Sequence, residues 1–199
     1  MNNQKCTKEL SEMSLEELWQ LFPIVLTKPN ERWGNDYAEE KSLLVHLLCN
    51  MNLVRIAHIG STSIQAIWAK PIIDILIEMN DNSSFNDIYK ILLEHDYFCM
   101  IKSERRMDFN KGYTKFGFAD KVFHIHVRLS GDNDELYFRD YLNEHSSIAK
   151  EYEALKLSLW KPFEHDRDGY TNAKTYFINK YTYLAKQTYA GRYENDYKE

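Results

Sequence analysis

The sequence has few cysteines, and their positions do not suit disulfide bonds or a cysteine-based metal site. Only three occur among the 199 residues, Cys6, Cys49 and Cys99, and no two stand at the spacing of metal-binding cysteines. An odd number of widely separated cysteines is typical of free thiols in a reducing compartment. We therefore expect a cytoplasmic protein.

Long hydrophobic runs and an excess of positive charge are also missing. No apolar stretch approaches the ~20 residues that a membrane-spanning helix needs, and the N-terminal MNNQKCTKELSEM has no apolar core of the signal-peptide type. The net charge is −5, whereas binding to a nucleic-acid backbone normally needs a basic face. We expect neither a membrane nor a nucleic acid as partner. A small anionic ligand stays open, because it needs only a local cation or backbone amides.

Two common nucleotide-binding motifs are absent as well. The chain has no glycine-rich loop ending in Lys-Ser or Lys-Thr and no Gly-x-Gly-x-x-Gly motif, so a P-loop kinase is not expected. What remains is a soluble chain with 44% hydrophobic and 28% charged residues, a composition typical of globular proteins. Its length suits one ordinary hydrophobic core.

The most informative stretch is residues 54–79, which is read as an apolar strand, a tight turn at Gly60-Ser61-Thr62-Ser63, a short helical connection and a second apolar strand. The second strand, residues 72–78, is apolar almost throughout, which is typical of a buried central strand. Asp74 interrupts it, and a buried carboxylate is costly unless it meets a metal, a cation or hydrogen-bond donors. A structural ion pair is the alternative, with one of three basic residues: Lys70, Arg55 or Arg105.

Periodicity predicts the remaining elements. Helical spacing of apolar residues indicates helices over residues 14–22, 36–50, 83–97, 135–160 and 169–189, with Ser14 and Glu17 forming a capping box and a break near His145. Residues 98–103 read as a strand and 104–115 as a polar hinge. Residues 116–120 and 121–129 read as the two arms of a hairpin. The pattern is α+β in one domain, with a core over about 33–180, an N-terminal extension over 1–30 and a frayed tail over 190–199.

A Gly-Ser turn followed by a strand that carries a carboxylate is the layout of the nucleotidyltransferase superfamily. In that layout, backbone amides of the turn approach phosphates, and the carboxylate holds a divalent cation. Six further motifs together resemble the GrpB family, small bacterial proteins assigned to the nucleotidyltransferase fold. They are residues 58–63, 69–75, 124–127, 138–142, 152–156 and 170–178. The resemblance implies a nucleotidyltransferase-like mixed β-sheet flanked by helices, with a C-terminal helical layer.

The resemblance also implies an activity and a set of site residues. The activity is transfer of a nucleotidyl group from a nucleoside triphosphate to an acceptor that the sequence does not identify, with Mg²⁺ or Mn²⁺ and with Zn²⁺ as an alternative. Phosphates would bind at Gly60, Ser61, Ser63 and Lys70, and the metal at Asp74.

The sequence departs at two points from the patterns of this family and of active nucleotidyltransferases. The family usually continues with Val-Pro-Gly-Leu where this chain has residues 64–67, Ile-Gln-Ala-Ile, and active nucleotidyltransferases carry a second carboxylate where this chain has Leu76.

Strand geometry offers further ligands. His124 and His126 alternate on one strand and share a face. If that strand neighbours the Asp74 strand, one carboxylate and two imidazoles form a set that favours Zn²⁺, Mn²⁺ or Fe²⁺ over Mg²⁺. Either histidine is a candidate metal ligand or general base. Glu78 shares a strand face with Asp74 but lies too far along it to hold the same ion without a bridging water or a second ion.

Three readings of function stay open. The first is the nucleotidyltransferase; the second is a non-catalytic module that binds nucleotide or metal and regulates another protein. The third is a His/Asp transition-metal enzyme that uses no nucleotide. Structural explanations compete at several positions, since the Gly60 turn could only cap a helix and the two histidines could line a wet strand face. Lys156 and Lys174 read as solvated helix charges, with a place at the border of the pocket as the alternative if the C-terminal helices fold over the sheet. His58 reads as a histidine bonded to the backbone.

Overall fold

The structure is a computed structural model that describes residues 8–194. Within that range the α-helices are α1 (Leu15–Leu21), α2 (Arg32–Leu47), α3 (Phe85–Leu93), α4 (Asp134–Glu144), α5 (Ser146–Trp160) and α6 (Arg167–Thr188). The strands are β1 (Leu53–Ile59), β2 (Ile73–Met79), β3 (Phe98–Lys102), β4 (Arg106–Thr114) and β5 (Gly117–Leu129). Short 3₁₀ turns occupy Leu10–Glu12 and Ser61–Ser63.

The strands form one mixed sheet in the order β1-β2-β5-β4-β3. Strands β2 and β5 are parallel, and the other neighbouring pairs are antiparallel. The predicted fold class is confirmed, because this sheet is flanked by helices and the last three helices form a C-terminal layer.

Both faces of β2 are covered, which explains its nearly continuous apolar sequence. Ile73, Ile75 and Ile77 pack into the main core with apolar residues of α2 and α3. On the other face, Leu76 packs with Ile59 and with Leu136 of α4. Asp74 shares this second face by strand alternation, so it lies between the sheet and the C-terminal helices.

Several local predictions are confirmed. The Ser14 hydroxyl accepts from the Glu17 amide, and the Glu17 carboxylate accepts from the Ser14 amide. The long helical stretch breaks at His145, which is the residue before α5.

The predicted extension over 1–30 packs on the domain from Phe22 onward: Ile24 is 1% exposed and its amide donates to the Glu164 carbonyl. Cys49 and Cys99 are free, while Cys6 and residues 195–199 lie outside the described range.

The predicted hairpin is wrong. Residues 117–129 form one continuous strand, and its partner is β4, which occupies the stretch predicted to be a hinge. Asp120 and Lys121 resemble turn residues in sequence, but their charges pair with α2: Asp120 with Arg32, and Lys121 with Asp36.

Among residues 8–194, no helix is both long enough and apolar enough to span a bilayer.

Candidate functional site

Asp74, His124 and His126 meet on the sheet face that the C-terminal helices cover. The parallel register of β2 and β5 places Asp74 opposite His124 and Leu76 opposite His126. His124 Nδ1 lies 3.1 Å and His126 Nε2 lies 3.5 Å from Asp74 Oδ1. One ligand atom from each residue lies within 4.8 Å of the other two, so the three could hold a metal ion. The strand adjacency on which the predicted Asp-His-His set depended is therefore present.

Each histidine is oriented by a second polar partner on its other nitrogen. His126 Nδ1 lies 2.9 Å from Asp108 Oδ1, and Arg128 Nη2 donates to the same oxygen over 2.7 Å. His124 Nε2 lies 2.8 Å from the Tyr113 hydroxyl, which also accepts from an Arg167 guanidinium N–H. Partners of this kind fix the ring orientation and raise the basicity of metal-binding histidines.

The electrostatics of the three residues are coupled. Burial alone would raise the pKa of Asp74, but hydrogen bonds from His124 and His126 outweigh it and hold the pKa below its ordinary value. Burial would lower the pKa of His126, yet its hydrogen bonds to Asp108 and Asp74 raise it to about 9. For His124, burial lowers the pKa by more than the hydrogen bond to Asp74 raises it, so the pKa lies below its ordinary value. The carboxylate is thus ionised and one imidazole is held as a cation against it.

Gly60 lies directly against this cluster. Its φ of +70° is rarely adopted by residues with a Cβ, and an added Cβ would overlap the Asp74 carboxylate. The turn is tied to the chain that enters β2, because the Thr62 hydroxyl donates to the Ile72 carbonyl over 3.1 Å. His58 Nε2 lies 3.0 Å from the same hydroxyl, so its partner is a side chain where a backbone group was expected.

Two predicted site residues lie elsewhere. Ser63 uses its hydroxyl to donate to the Gly60 carbonyl and does not line the cavity beside Asp74. Glu78 is fully buried and pairs with Arg55 over 2.6 Å. Glu78 lies four positions beyond Asp74 along the strand, a span of about 13 Å, so the structure does not bring it to the cluster. Arg55, one predicted alternative partner of Asp74, is thereby paired with Glu78 instead.

A cavity of about 360 Å³ opens beside Asp74 and His124, between the sheet and α4–α6. Gly60, Ser61 and Lys70 line it, as the sequence predicted for a phosphate site. The remaining lining residues are Ile72, Asp134, Glu135, Phe138, Tyr152, Lys156, Tyr170, Lys174, Ile178, Asn179 and Thr182. The cavity therefore joins the Asp-His cluster to a wall that carries several lysines.

The reading of Lys156 and Lys174 as solvated charges is wrong. Lys156 is 2% exposed and donates to the Trp68 carbonyl, and both lysines face the cavity. Burial lowers the pKa of Lys70 to about 7, of Lys156 to about 7 and of Lys174 to about 8. Such shifts mark ammonium groups that are removed from water without a compensating carboxylate.

Comparison with known proteins identifies the family. The family described as GrpB protein matches residues 23–183. The chain belongs to the GrpB family. It is 34% identical over 166 residues to the glutamate-rich protein GrpB of Alkalihalophilus pseudofirmus, covering 79% of this chain and 92% of that protein. It is 32% identical over 196 residues to the UPF0157 protein YqkA of Bacillus subtilis, covering 94% of this chain and 55% of YqkA.

Among solved structures, the chain is similar to a conserved GrpB protein from Enterococcus faecalis. The TM-score is 0.72 with 27% sequence identity, and the match covers 83% of this chain and 99% of the other. Structures of the poly(U) polymerase Cid1 match at a TM-score of 0.47 and 11% identity over 72% of this chain, a likeness too low to bear on function.

The structure also explains how this GrpB chain accommodates its departure after the Gly60 turn. Ala66 stands where the family usually has glycine, and it adopts a φ of +59°. Gln65 stands where the family usually has proline, and its amide donates to Asn143 Oδ1 over 2.9 Å, a bond that proline could not make. The Ala66 carbonyl accepts from Lys150. The turn therefore keeps a glycine-like backbone, held by contacts from α4 and α5.

Proposed function

We propose that this protein is a metal-dependent nucleotidyltransferase that transfers a nucleotidyl group from a nucleoside triphosphate to an acceptor. One observation carries the proposal: the Asp74-His124-His126 cluster opens into a cavity that is also lined by Gly60, Ser61 and Lys70. A divalent-cation ligand set beside cations and turn amides is what transfer from a triphosphate requires. Membership of the GrpB family is consistent with it.

The residues present fit a divalent cation. Two imidazole nitrogens and one carboxylate oxygen suit Mn²⁺ better than Mg²⁺, and they also suit Zn²⁺. Asp74, His124 and His126 would hold the ion, and its chemical contribution would be to neutralise charge on phosphoryl oxygens. The ionised Asp74 and the outer partners Asp108 and Tyr113 orient the side chains for that role. His126, which is a cation in the apo protein, would release a proton to solvent when it binds the ion.

The other roles belong to the chain itself. Gly60 permits the close approach of backbone and Asp74, and Ser61 and Lys70 face the cavity, where they would contact phosphate oxygens. Helices α4–α6 cover the sheet face and limit the access of water to the site. Of the two histidines, His124 lines the cavity, which makes it the better candidate for a general base toward an acceptor.

A second candidate function is a His/Asp transition-metal enzyme that uses no nucleotide. Leu76 favours it, because this residue stands where active nucleotidyltransferases carry their second carboxylate and is buried against Ile59 and Leu136. Metal analysis of the purified protein separates the two functions: bound zinc or iron without any response to nucleotides supports this candidate.

The test is thermal stability with ATP, GTP, CTP or UTP, each with and without Mg²⁺ or Mn²⁺. Ligand at about 100 times its dissociation constant stabilises the folded state by roughly 2.7 kcal/mol. We expect a metal-dependent shift in the wild type that disappears in Asp74→Asn. Asp132→Asn is the matched control, since Asp132 is likewise paired with a basic side chain, that of Arg106, but lies outside the cavity.

The apo Asp74→Asn protein should melt below the wild type, because it loses the interactions of the ionised carboxylate with His124 and His126. The readout is therefore the ligand-induced shift of each protein relative to its own apo form. No shift with any nucleotide in the wild type, or a metal-dependent shift that persists in Asp74→Asn, would make Asp74 structural and refute the proposal.

A further inference from the structure

Lys70, Lys156 and Lys174 converge on one cavity without forming a salt bridge. Lys70 precedes β2, and the other two come from α5 and α6. Among residues 8–194, no salt bridge joins any of the three to a carboxylate at 4.0 Å or less, although lysines elsewhere on the domain form several such pairs. Three ammonium groups therefore line one partly enclosed space with no carboxylate of the described range within salt-bridge distance. The carboxylates that line the same cavity, those of Asp74, Asp134 and Glu135, lie more than 4.0 Å from all three.

Their nearest partners are aromatic rings. The Lys174 ammonium lies 4.1 Å and the Lys70 ammonium 5.6 Å from the centre of the Tyr170 ring. The Lys156 ammonium lies 4.8 Å from the centre of the Tyr152 ring and donates to the Trp68 carbonyl. A ring face attracts a cation only weakly, and an ammonium has three N–H donors, so most of these donors are left for a ligand.

Tyr170 supplies an independent indication. It is 1% exposed, it lines the same cavity, and its hydroxyl has no hydrogen-bond partner in the described part of the protein. A buried hydroxyl without a partner is costly. An acceptor oxygen of a ligand in the cavity would satisfy it.

We propose that Lys70, Lys156, Lys174 and the Tyr170 hydroxyl form the binding site for the polyphosphate group of the substrate. The proposal rests on the proposed function only for the identity of the nucleotide to which the phosphates belong. A polyphosphate offers several negative charges and many acceptor oxygens, matching three cations and a hydroxyl. A single carboxylate or one phosphate monoester would leave part of the site unneutralised.

The cavity also has room for the rest of such a ligand. Besides the lysines, its lining includes Phe138, Ile178, Asn179 and Thr182, which carry no charge, and the carboxylates of Asp134 and Glu135. A volume of about 360 Å³ lies within the range of small-molecule sites in proteins, roughly 300–1,000 Å³. The cavity is thus large enough for a phosphorylated compound with an organic part.

The test uses inorganic pyrophosphate and tripolyphosphate as probes, in EDTA so that no metal contributes, with binding measured by titration calorimetry on the full chain. We expect both probes to bind, and Lys174→Met to weaken tripolyphosphate binding by tenfold or more. Lys180→Met is the matched control: Lys180 lies on the same helix and also faces a tyrosine ring, that of Tyr181 at 4.8 Å, but it is exposed and outside the cavity. ATP and ribose 5-phosphate, titrated in parallel, show whether the phosphates must be part of a nucleotide.

Apo stability provides the second readout. Met is close in length to Lys and carries no charge, so Lys174→Met should leave the apo melting temperature unchanged or raise it, as expected at a site kept for binding. A lower apo melting temperature combined with unchanged tripolyphosphate affinity would make the lysine structural and overturn the proposal. So would unchanged affinity in Lys174→Met and Lys156→Met together.

The two proposals fail separately. Metal-free polyphosphate binding that depends on the lysines, without any nucleotide response at Asp74, would refute the nucleotidyltransferase and keep the anion site. A nucleotide response that needs Asp74 but ignores the lysines would refute the anion site and keep the nucleotidyltransferase.

Discussion

Gly60 and Asp74 occupy one shared space: the carboxylate of Asp74 fills the position that a Cβ at residue 60 would take. The turn after β1 therefore packs directly against the first part of β2. The Thr62 hydroxyl holds the two segments together by its hydrogen bond to the Ile72 carbonyl. The candidate metal cluster depends on this arrangement, because Asp74 must face His124 and His126 from beneath the turn.

Replacing Gly60 by alanine should therefore abolish metal-dependent binding. The added methyl group displaces the carboxylate, in addition to the ~1–3 kcal/mol that the backbone conformation of Gly60, with φ +70° and ψ −172°, costs a residue with a Cβ. Gly131→Ala is the control, because Gly131 has a φ of +85° and no atom within 4 Å of an added Cβ. Urea unfolding and Mn²⁺ titration should show a loss of stability in both variants and a loss of Mn²⁺ binding in Gly60→Ala alone. Mn²⁺ binding by Gly60→Ala equal to that of Gly131→Ala would contradict the arrangement.

Glu78→Gln should lower stability without changing metal affinity. Glu78 accepts from the Gly131 amide and from Asn133 as well as pairing with Arg55, so neutralising it leaves a half-buried guanidinium without its counter-charge. Breaking such a pair costs ~3 kcal/mol. Thermal melts and Mn²⁺ titration measure the two effects. A weaker Mn²⁺ affinity at unchanged stability would instead return Glu78 to the set of metal ligands.

Asp108→Asn should weaken metal binding by about tenfold, within the range seen when outer partners of metal-binding histidines are removed. Asp108 does not line the cavity beside Asp74, so its effect acts through the orientation of His126 Nδ1. Nitrogen NMR of the His126 ring should show a changed tautomer or protonation state in this variant and none in Asp132→Asn. An altered melting temperature with an unchanged His126 spectrum and unchanged Mn²⁺ affinity would leave Asp108 with a structural role only.

The apo protein should become more stable as pH rises from about 7 toward 10, because its three cavity lysines outnumber His126, whose pKa of about 9 gives a contribution of opposite sign up to that pH. Their pKa values of about 7 to 8 lie below the ordinary 10.5, so in this window the unfolded chain binds protons that the folded chain does not. Each lysine then adds up to about 1.4 kcal/mol per pH unit to the free energy of unfolding.

Urea unfolding between pH 7 and 9.5 checks this, with Lys156→Met and Lys180→Met. Lys156 faces Lys174, Lys70 and Glu153, and removing it should flatten the slope by about one lysine. The slope of Lys180→Met should match the wild type. Equal slopes in all three proteins would mean that Lys156 titrates at an ordinary pKa.

Ala66→Gly should stabilise the protein by about 0.5–1 kcal/mol. The left-handed conformation of Ala66 costs ~1–2 kcal/mol relative to glycine, and the greater freedom of glycine in the unfolded chain cancels part of that gain. The midpoint of chemical denaturation measures the change, and nucleotide and metal affinities should stay the same. A loss of stability would mean that the Ala66 methyl group makes packing contacts that outweigh the backbone strain.

The sequence by itself determined those elements whose structure depends mainly on residues nearby in the chain. Apolar spacing located α3 and α6, a Ser-x-x-Glu pattern located the start of α1, and unbroken hydrophobicity placed β2 in the centre of the sheet. The same local rule put the hairpin turn at Asp120-Lys121, where polar residues suggested a turn. Only tertiary contacts with α2 showed that those charges are paired within a continuous strand.

The candidate site divides in the same way. Asp74 could be found from sequence because one carboxylate in a buried strand is costly, and His124 and His126 because alternation gives them one face. Which strands are neighbours, and that Glu78 belongs to Arg55, depended on the sheet order. Lys156 and Lys174 could not be distinguished from solvated helix lysines, because a helical pattern does not record that a cavity lies against that side. Their role was decided by the packing of α5 and α6 over the sheet, which removes both ammonium groups from bulk water.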